Sequence, residues 1–185
     1  CSVRPGIASD AVADWSIRVQ RGFVRGVVPR EGAIELDARA RCAAFCSSEV
    51  STAALALLGF CAAFPSISRG FILEVMTGAN FPVALRRLAA ATWHQSVVFG
   101  RDGQRQYAVD RGVGQGRSAA AILFVIGVDP LLTPTRAKLD RRAFEVRSVF
   151  ANDVTLNRSG ARQLLSLKPT FDRFTRVATL DLSAK

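Results

Sequence analysis

Apolar and polar positions are spread unevenly along the 185 residues. Residues 53–64 are apolar throughout apart from one glycine, and Ser51-Thr52 and Pro65 bound the run. An unbroken apolar stretch between breakers predicts a strand buried on both faces. A second run, residues 119–128, follows a glycine-rich turn and predicts a helix that stops at Asp129-Pro130. Between the two, Ser68 is placed to cap a helix running to about Thr77, with a Gly78-Ala-Asn turn after it. Pro82 starts another, to about His94, with Leu85, Leu88, Ala89 and Trp93 on one face. Residues 96–99 and 105–109, joined by Gly100-Arg-Asp-Gly103, read as a hairpin. Residues 144–156 read as two short strands meeting at Ala151-Asn152-Asp153. Residues 160–178 are amphipathic, with Leu164, Leu165, Leu167, Phe171, Phe174 and Val177 on the apolar face and Pro169 as a break or kink. Leu180-Asp-Leu then reads as a strand, and residues 31–46, far upstream, as a helix.

Composition narrows the class. The chain is 49% hydrophobic, enough for one substantial core, and no apolar run is long enough to span a bilayer. No signal peptide is visible, so an intracellular protein, of nucleus or cytoplasm, is expected. Starting at Cys1 and halting at Lys185, the sequence reads as a fragment. Cys1, Cys42, Cys46 and Cys61 with the lone His94 make no zinc pattern; buried, reduced thiols and a surface histidine are expected. Net charge is +10; residues 1–100 carry 10 Arg against 7 acids, and residues 101–185 carry 12 Arg and 3 Lys against 8 acids. The basic second half suits a polyanion such as nucleic acid; a bare preference for arginine, 22 Arg to 3 Lys, gives the same count.

That half holds the most distinctive stretch, Arg111-Gly-Val-Gly-Gln-Gly-Arg117 opening into the apolar helix. Gly112, Gly114 and Gly116 permit unusual backbone angles and close approach of a ligand, and a helix start favours phosphate. A dinucleotide-binding turn would need a glycine or alanine where Arg117 stands and an acid at the end of a second strand about twenty residues on, and no well-placed acid ends a strand there.

The stretch resembles the Arg-Gly-x-x-Gln-Gly motif of reverse transcriptases, particularly those of non-LTR retroelements, whose palm helix ends near Asp-Pro-Leu-Leu. Arg111, Gly112, Gln115, Gly116, Leu123, Phe124 and residues 129–132 match, whereas the family's two prolines after the second glycine are absent. Three further stretches follow the family's order. Gln20-Arg-Gly-Phe-Val-Arg-Gly26 is similar to a fingers element whose last arginine falls on Val27. Phe60, Ala63, Phe64 and Pro65 match the first palm motif, Asp-Phe-x-x-Ala-Phe, with Gly59 at its aspartate. Phe150 and Ala151 match the Tyr/Phe-Ala-Asp-Asp hairpin, with Asn152 and Asp153 at the aspartates. Lys185 stands where the family has a lysine that assists the leaving pyrophosphate.

The resemblance covers residues 20–185. It implies an α+β fold, a polymerase-type palm of antiparallel sheet backed by helices, with partial fingers over residues 1–50, the palm over 51–185 and no thumb. It implies an RNA or DNA template-primer and a deoxynucleotide as partners, with no membrane and no small-molecule cofactor. Phe64 would lie under the incoming sugar, unless it is an ordinary core residue, and Arg25, Arg111, Gln115, Gly116 and Lys185 would meet template or nucleotide. Family enzymes hold two magnesium ions on carboxylates from the first and third motifs, here Gly59, Asn152 and Asp153. Magnesium takes oxygen ligands, and each lost charge removes several kcal/mol of attraction, so an ordered metal pair and activity are not expected. The alternative is an active RNA-directed DNA polymerase with replacement ligands such as Glu74, Asp110 or Asp129.

Overall fold

The computed structural model describes residues 54–114, 119–138, 144–150, 153–158 and 165–184, together with residues 30, 34, 35, 37, 38, 41, 42 and 45. For residues 54, 55, 57, 136–138, 144–150, 153–158 and 184 the description is of the backbone. The elements, in chain order, are β1 (Ala54–Phe60), α1 (Ala63–Ser66), α2 (Arg69–Gly78), α3 (Val83–Trp93), β2 (Val97–Phe99) and β3 (Arg105–Ala108). They continue with α4 (Ala120–Lys138), β4 (Phe144–Phe150), β5 (Asp153–Arg158), α5 (Lys168–Ala178) and β6 (Leu182–Ala184). The described residues between 30 and 45 are helical, as residues 31–46 predict.

Four strands form one antiparallel sheet in the order β4-β5-β1-β6. The long apolar run supplies an interior strand, paired on both sides, but the strand expected over residues 53–64 ends at Phe60, and Ala56 and Leu58 on it are half-buried. The chain leaves β1 through Ala62, held at φ 42°, and turns at once into α1. The Ser68 side chain then accepts the Phe71 N–H and caps α2, as its position predicts.

Helix α4 is the centre of the core. Phe124, Val125, Val128 and Leu132 are fully buried, Ile126 and Leu131 nearly so. A helix apolar on almost every face is stable only when surrounded. Ile67, between α1 and α2, and Ile72 in the first turn of α2 pack over Gly127, where an added Cβ would lie 2.5 Å from the Ile67 Cδ1. Helix α5 closes the far side. Its Phe174 ring lies 5.9 Å from that of Phe60 and meets Phe71 edge-on at 5.8 Å. The Thr179 hydroxyl donates to the Ser66 carbonyl (2.7 Å) and the Ser68 N–H to that of Ala178 (2.9 Å), tying the end of α5 to the start of α2.

Several expectations require correction. Helix α4 does not stop at Asp129-Pro130 but runs to Lys138 through Pro130 and Pro134. Each proline removes one helical N–H. Burial of Leu131, Leu132 and Thr135 outweighs that loss, and the Thr135 hydroxyl donates to the Leu131 carbonyl (2.6 Å). The interruption expected at Pro169 is present: residues 166–167 form a turn, and α5 starts at Lys168 with the proline in its first turn, where a missing N–H costs nothing. Leu88, Leu165 and Val177, assigned to apolar faces, are exposed, whereas Ala89, Trp93, Leu167, Phe171 and Phe174 are buried; Leu164 lies outside the described residues. The last strand begins at Leu182 instead of Leu180, whose side chain is fully buried ahead of it. Cys42 and Cys61 are free, as expected, but exposed, while Cys1 and Cys46 lie outside the described residues. His94 is exposed, as expected.

Candidate functional site

Strand register brings the first and third motifs together. Gly59 near the end of β1 pairs with Asp153 at the start of β5 on one side and with Ser183 of β6 on the other. Asp153 also pairs with Phe150, so only Ala151 and Asn152 separate β4 from β5. A two-residue connection is the tightest common hairpin. The row Phe150–Asp153–Gly59–Ser183 therefore crosses all four strands. Gly59 is buried. Asn152 and Lys185, which flank this row in sequence, lie outside the described residues, as do Arg25, Gln115 and Gly116.

The first residues of the glycine-rich turn are bound to the segment that follows β1. The Val113 N–H donates to the Phe64 carbonyl and the Gly112 N–H to that of Ile67, each at 2.8 Å. From the start of α2, Arg69 reaches back: its Nε donates to the Gly112 carbonyl (2.8 Å) and its Nη1 to that of Val109 (2.6 Å). The same guanidinium lies 5.8 Å from the Trp93 ring centroid, a cation–π contact. Gly112 has φ 80°, and a Cβ there would sit 2.5 Å from the Pro65 carbonyl carbon. At this position glycine serves a close approach of two protein backbones, not of a ligand. Nothing in the one-dimensional pattern singles out Arg69, because its partners are carbonyls 40 and 43 residues away.

Phe64 is half-buried and stacks on Phe124, with ring centroids 4.5 Å apart and 17° between planes. One face of the ring is thus committed to the core helix. Arg111 is exposed, and its Nε lies 3.7 Å from Asp110 Oδ1. Of the replacement ligands, Glu74 and Asp110 are exposed and Asp129 is buried within α4. Among the described residues, no three His, Cys, Asp or Glu side chains converge on a position that could hold a metal ion.

No protein-family profile matches the chain, and no curated protein matches it. Among the described residues no helix is long and apolar enough to cross a membrane. One solved structure with a similar fold is apo telomerase from Candida tropicalis truncated from its C-terminal domain, at a TM-score of 0.62 and 12% identity. The match covers 97% of this chain but only 38% of that one, so this chain spans well under half of that protein's length. Helices packed on a small antiparallel sheet, in this arrangement, make a polymerase-like fold.

Proposed function

We propose that this chain is a reverse-transcriptase-like polymerase domain of the non-LTR retroelement type, a palm with partial fingers, that has lost nucleotidyl transfer and retains nucleic-acid binding. One observation carries the reading: Gly59 stands in register opposite Asp153, in the row where the resemblance expects aspartates from two motifs to share metal ions. The order of the motifs supports it, as does the likeness to a telomerase, a relative of reverse transcriptases.

The residues present do not fit a pair of magnesium ions. Gly59 has no side chain to offer, and Asn152 keeps an oxygen without a charge. A hard divalent ion with one remaining carboxylate from these motifs is left largely to water. Nucleic-acid binding asks less, namely cations along a backbone. Arg21, Arg25, Arg111 and Arg117 are the proposed phosphate contacts. If about six phosphates are met on a duplex, log affinity falls with log salt at a slope near −5.

The test is primer extension on an RNA template with magnesium or manganese, alongside calorimetric magnesium titration. The unmodified chain, Gly59→Asp and Asn152→Asp are expected to show neither extension nor ordered metal binding. The double reversion is expected to bind magnesium, because ligands that act as a unit are strongly non-additive. Extension by the unmodified chain, abolished by Asp153→Ala, would overturn the proposal.

A further inference from the structure

The β2–β3 hairpin contributes almost nothing to the core. Every residue of β3 is exposed, and β2 has no buried position. A two-stranded hairpin without a buried face is marginal in water. Here its base is fastened to the body. The Val109 N–H donates to the Ser96 carbonyl (2.8 Å), the Ser96 N–H donates to that of Trp93 (3.3 Å), and Arg69 holds the Val109 carbonyl. The element is thus held outward on a fixed base.

What it presents is aromatic and basic. Phe99 and Tyr107 are each 60% exposed, and Arg101 and Arg105 are exposed beside them. Register sets Phe99 directly across from Arg105, so a ring and a guanidinium are cross-strand neighbours. Both acids nearby have local partners: Asp102 accepts the Gln104 N–H in the tip turn, and Asp110 lies beside Arg111 at the base. Gln106 is exposed between Arg105 and Tyr107, so polar and aromatic groups alternate along β3. Exposed flat rings interleaved with guanidinium groups match bases and phosphates.

We propose that this hairpin is a contact surface for single-stranded nucleic acid, with Phe99 and Tyr107 stacking on bases and Arg101 and Arg105 meeting phosphates. It rests on the nucleic-acid-binding role proposed above and gives that role a second locus, away from the Gly59–Asp153 row.

The experiment measures binding of the full chain to a labelled single-stranded oligonucleotide, an abasic strand of equal length and a duplex, across a range of salt. Phe99→Ala and Tyr107→Ala should each weaken single-strand binding about tenfold, without altering the salt slope or the binding of the abasic strand. Phe99→Tyr and Tyr107→Phe should keep it. The pair Arg101→Gln and Arg105→Gln should flatten the slope by about 1.4, two single-strand contacts. Melting temperatures should not move, because all four side chains are exposed. Equal binding by the alanine variants, or an equal loss on the abasic strand, would overturn the hairpin assignment while nucleic-acid binding elsewhere stands. Absence of any binding at low salt would remove both proposals.

Discussion

Replacing Gly112 by alanine is expected to be among the most damaging single-methyl changes in this fold, and the structure says by how much. Two penalties act together. At φ 80° the residue is in left-handed space, where a Cβ costs about 1–2 kcal/mol. The new methyl would also lie 2.5 Å from the Pro65 carbonyl carbon, 2.6 Å from its α-carbon and closer still to its oxygen. Backbone cannot swing aside as a side-chain tip can, so the turn itself must withdraw. Withdrawal strains the Gly112–Ile67 and Val113–Phe64 hydrogen bonds and the Arg69 contact to the Gly112 carbonyl. Losing two of these removes roughly 1–3 kcal/mol more. The sum, about 2–5 kcal/mol, is a large share of the 5–15 kcal/mol typical of a domain.

Two other glycines serve as internal controls. Gly103 has nearly the same φ, 75°, but nothing within 4 Å of the added methyl, so Gly103→Ala isolates the backbone term at about 1–2 kcal/mol. Gly78, in the last turn of α2, has neither positive φ nor a neighbour within 4 Å; Gly78→Ala should be neutral or stabilising by up to about 1 kcal/mol. Urea unfolding followed by circular dichroism reads all three. If Gly112→Ala unfolds at the same midpoint as Gly103→Ala, the close approach to Pro65 is not what holds this turn.

Ser68→Ala removes the side-chain cap of α2 and should lower stability by about 1 kcal/mol, whereas Ser68→Asp should retain most of it, both measured by the same unfolding curves. Gly59→Asp sets a carboxylate directly opposite Asp153 on the neighbouring strand, and like charges in that position destabilise by up to about 1 kcal/mol. Its melting temperature in chelator should fall below that of Gly59→Asn, and the gap should narrow as salt is raised; a gap insensitive to salt would show that crowding, not charge, is responsible.

Much of the scaffold was legible because its signals are local. Ser68 and the Gly100–Gly103 turn each predict an element from nearest neighbours, and each is in place; of the run at 53–64, Ala54–Phe60 forms the expected strand and Ala63–Phe64 open a helix instead. The pairing of Gly59 with Asp153, 94 residues on, was legible only through the resemblance, because no local rule sets a register across that distance. Illegible features depend on what lies opposite. Pro130 predicts a helix end by local rules, and only the burial of Leu131 and Leu132 overrides it. Leu88, Leu165 and Val177 satisfy a helical apolar pattern, but a stripe does not say how much of itself will be covered. The same blindness hides the exposed rings of Phe99 and Tyr107 and assigns Gly112 to a ligand when its neighbour is Pro65.

On the proposed reading, the pattern of what is kept and what is lost follows from where stability resides. Positions 59 and 153 sit at or near strand ends, whereas the fully buried side chains include Ile67, Ile72, Leu167, Leu180 and much of α4. A carboxylate at 59 would add nothing to that core. Without a divalent ion it would face the Asp153 charge across the ladder, so replacing it by glycine relieves repulsion rather than removing support. Gly112 is the opposite case. It carries no reactive group, yet the path of the chain past Pro65 depends on it, and a substitution there strikes the fold itself. A palm released from catalysis can therefore shed its metal ligands at little thermodynamic expense while Arg69, Gly112 and Phe124 stay fixed by packing. Gly112 and Phe124, which match the motif this stretch resembles, are held by packing, whereas the mismatches at 59 and 152 fall where the resemblance expects metal ligands.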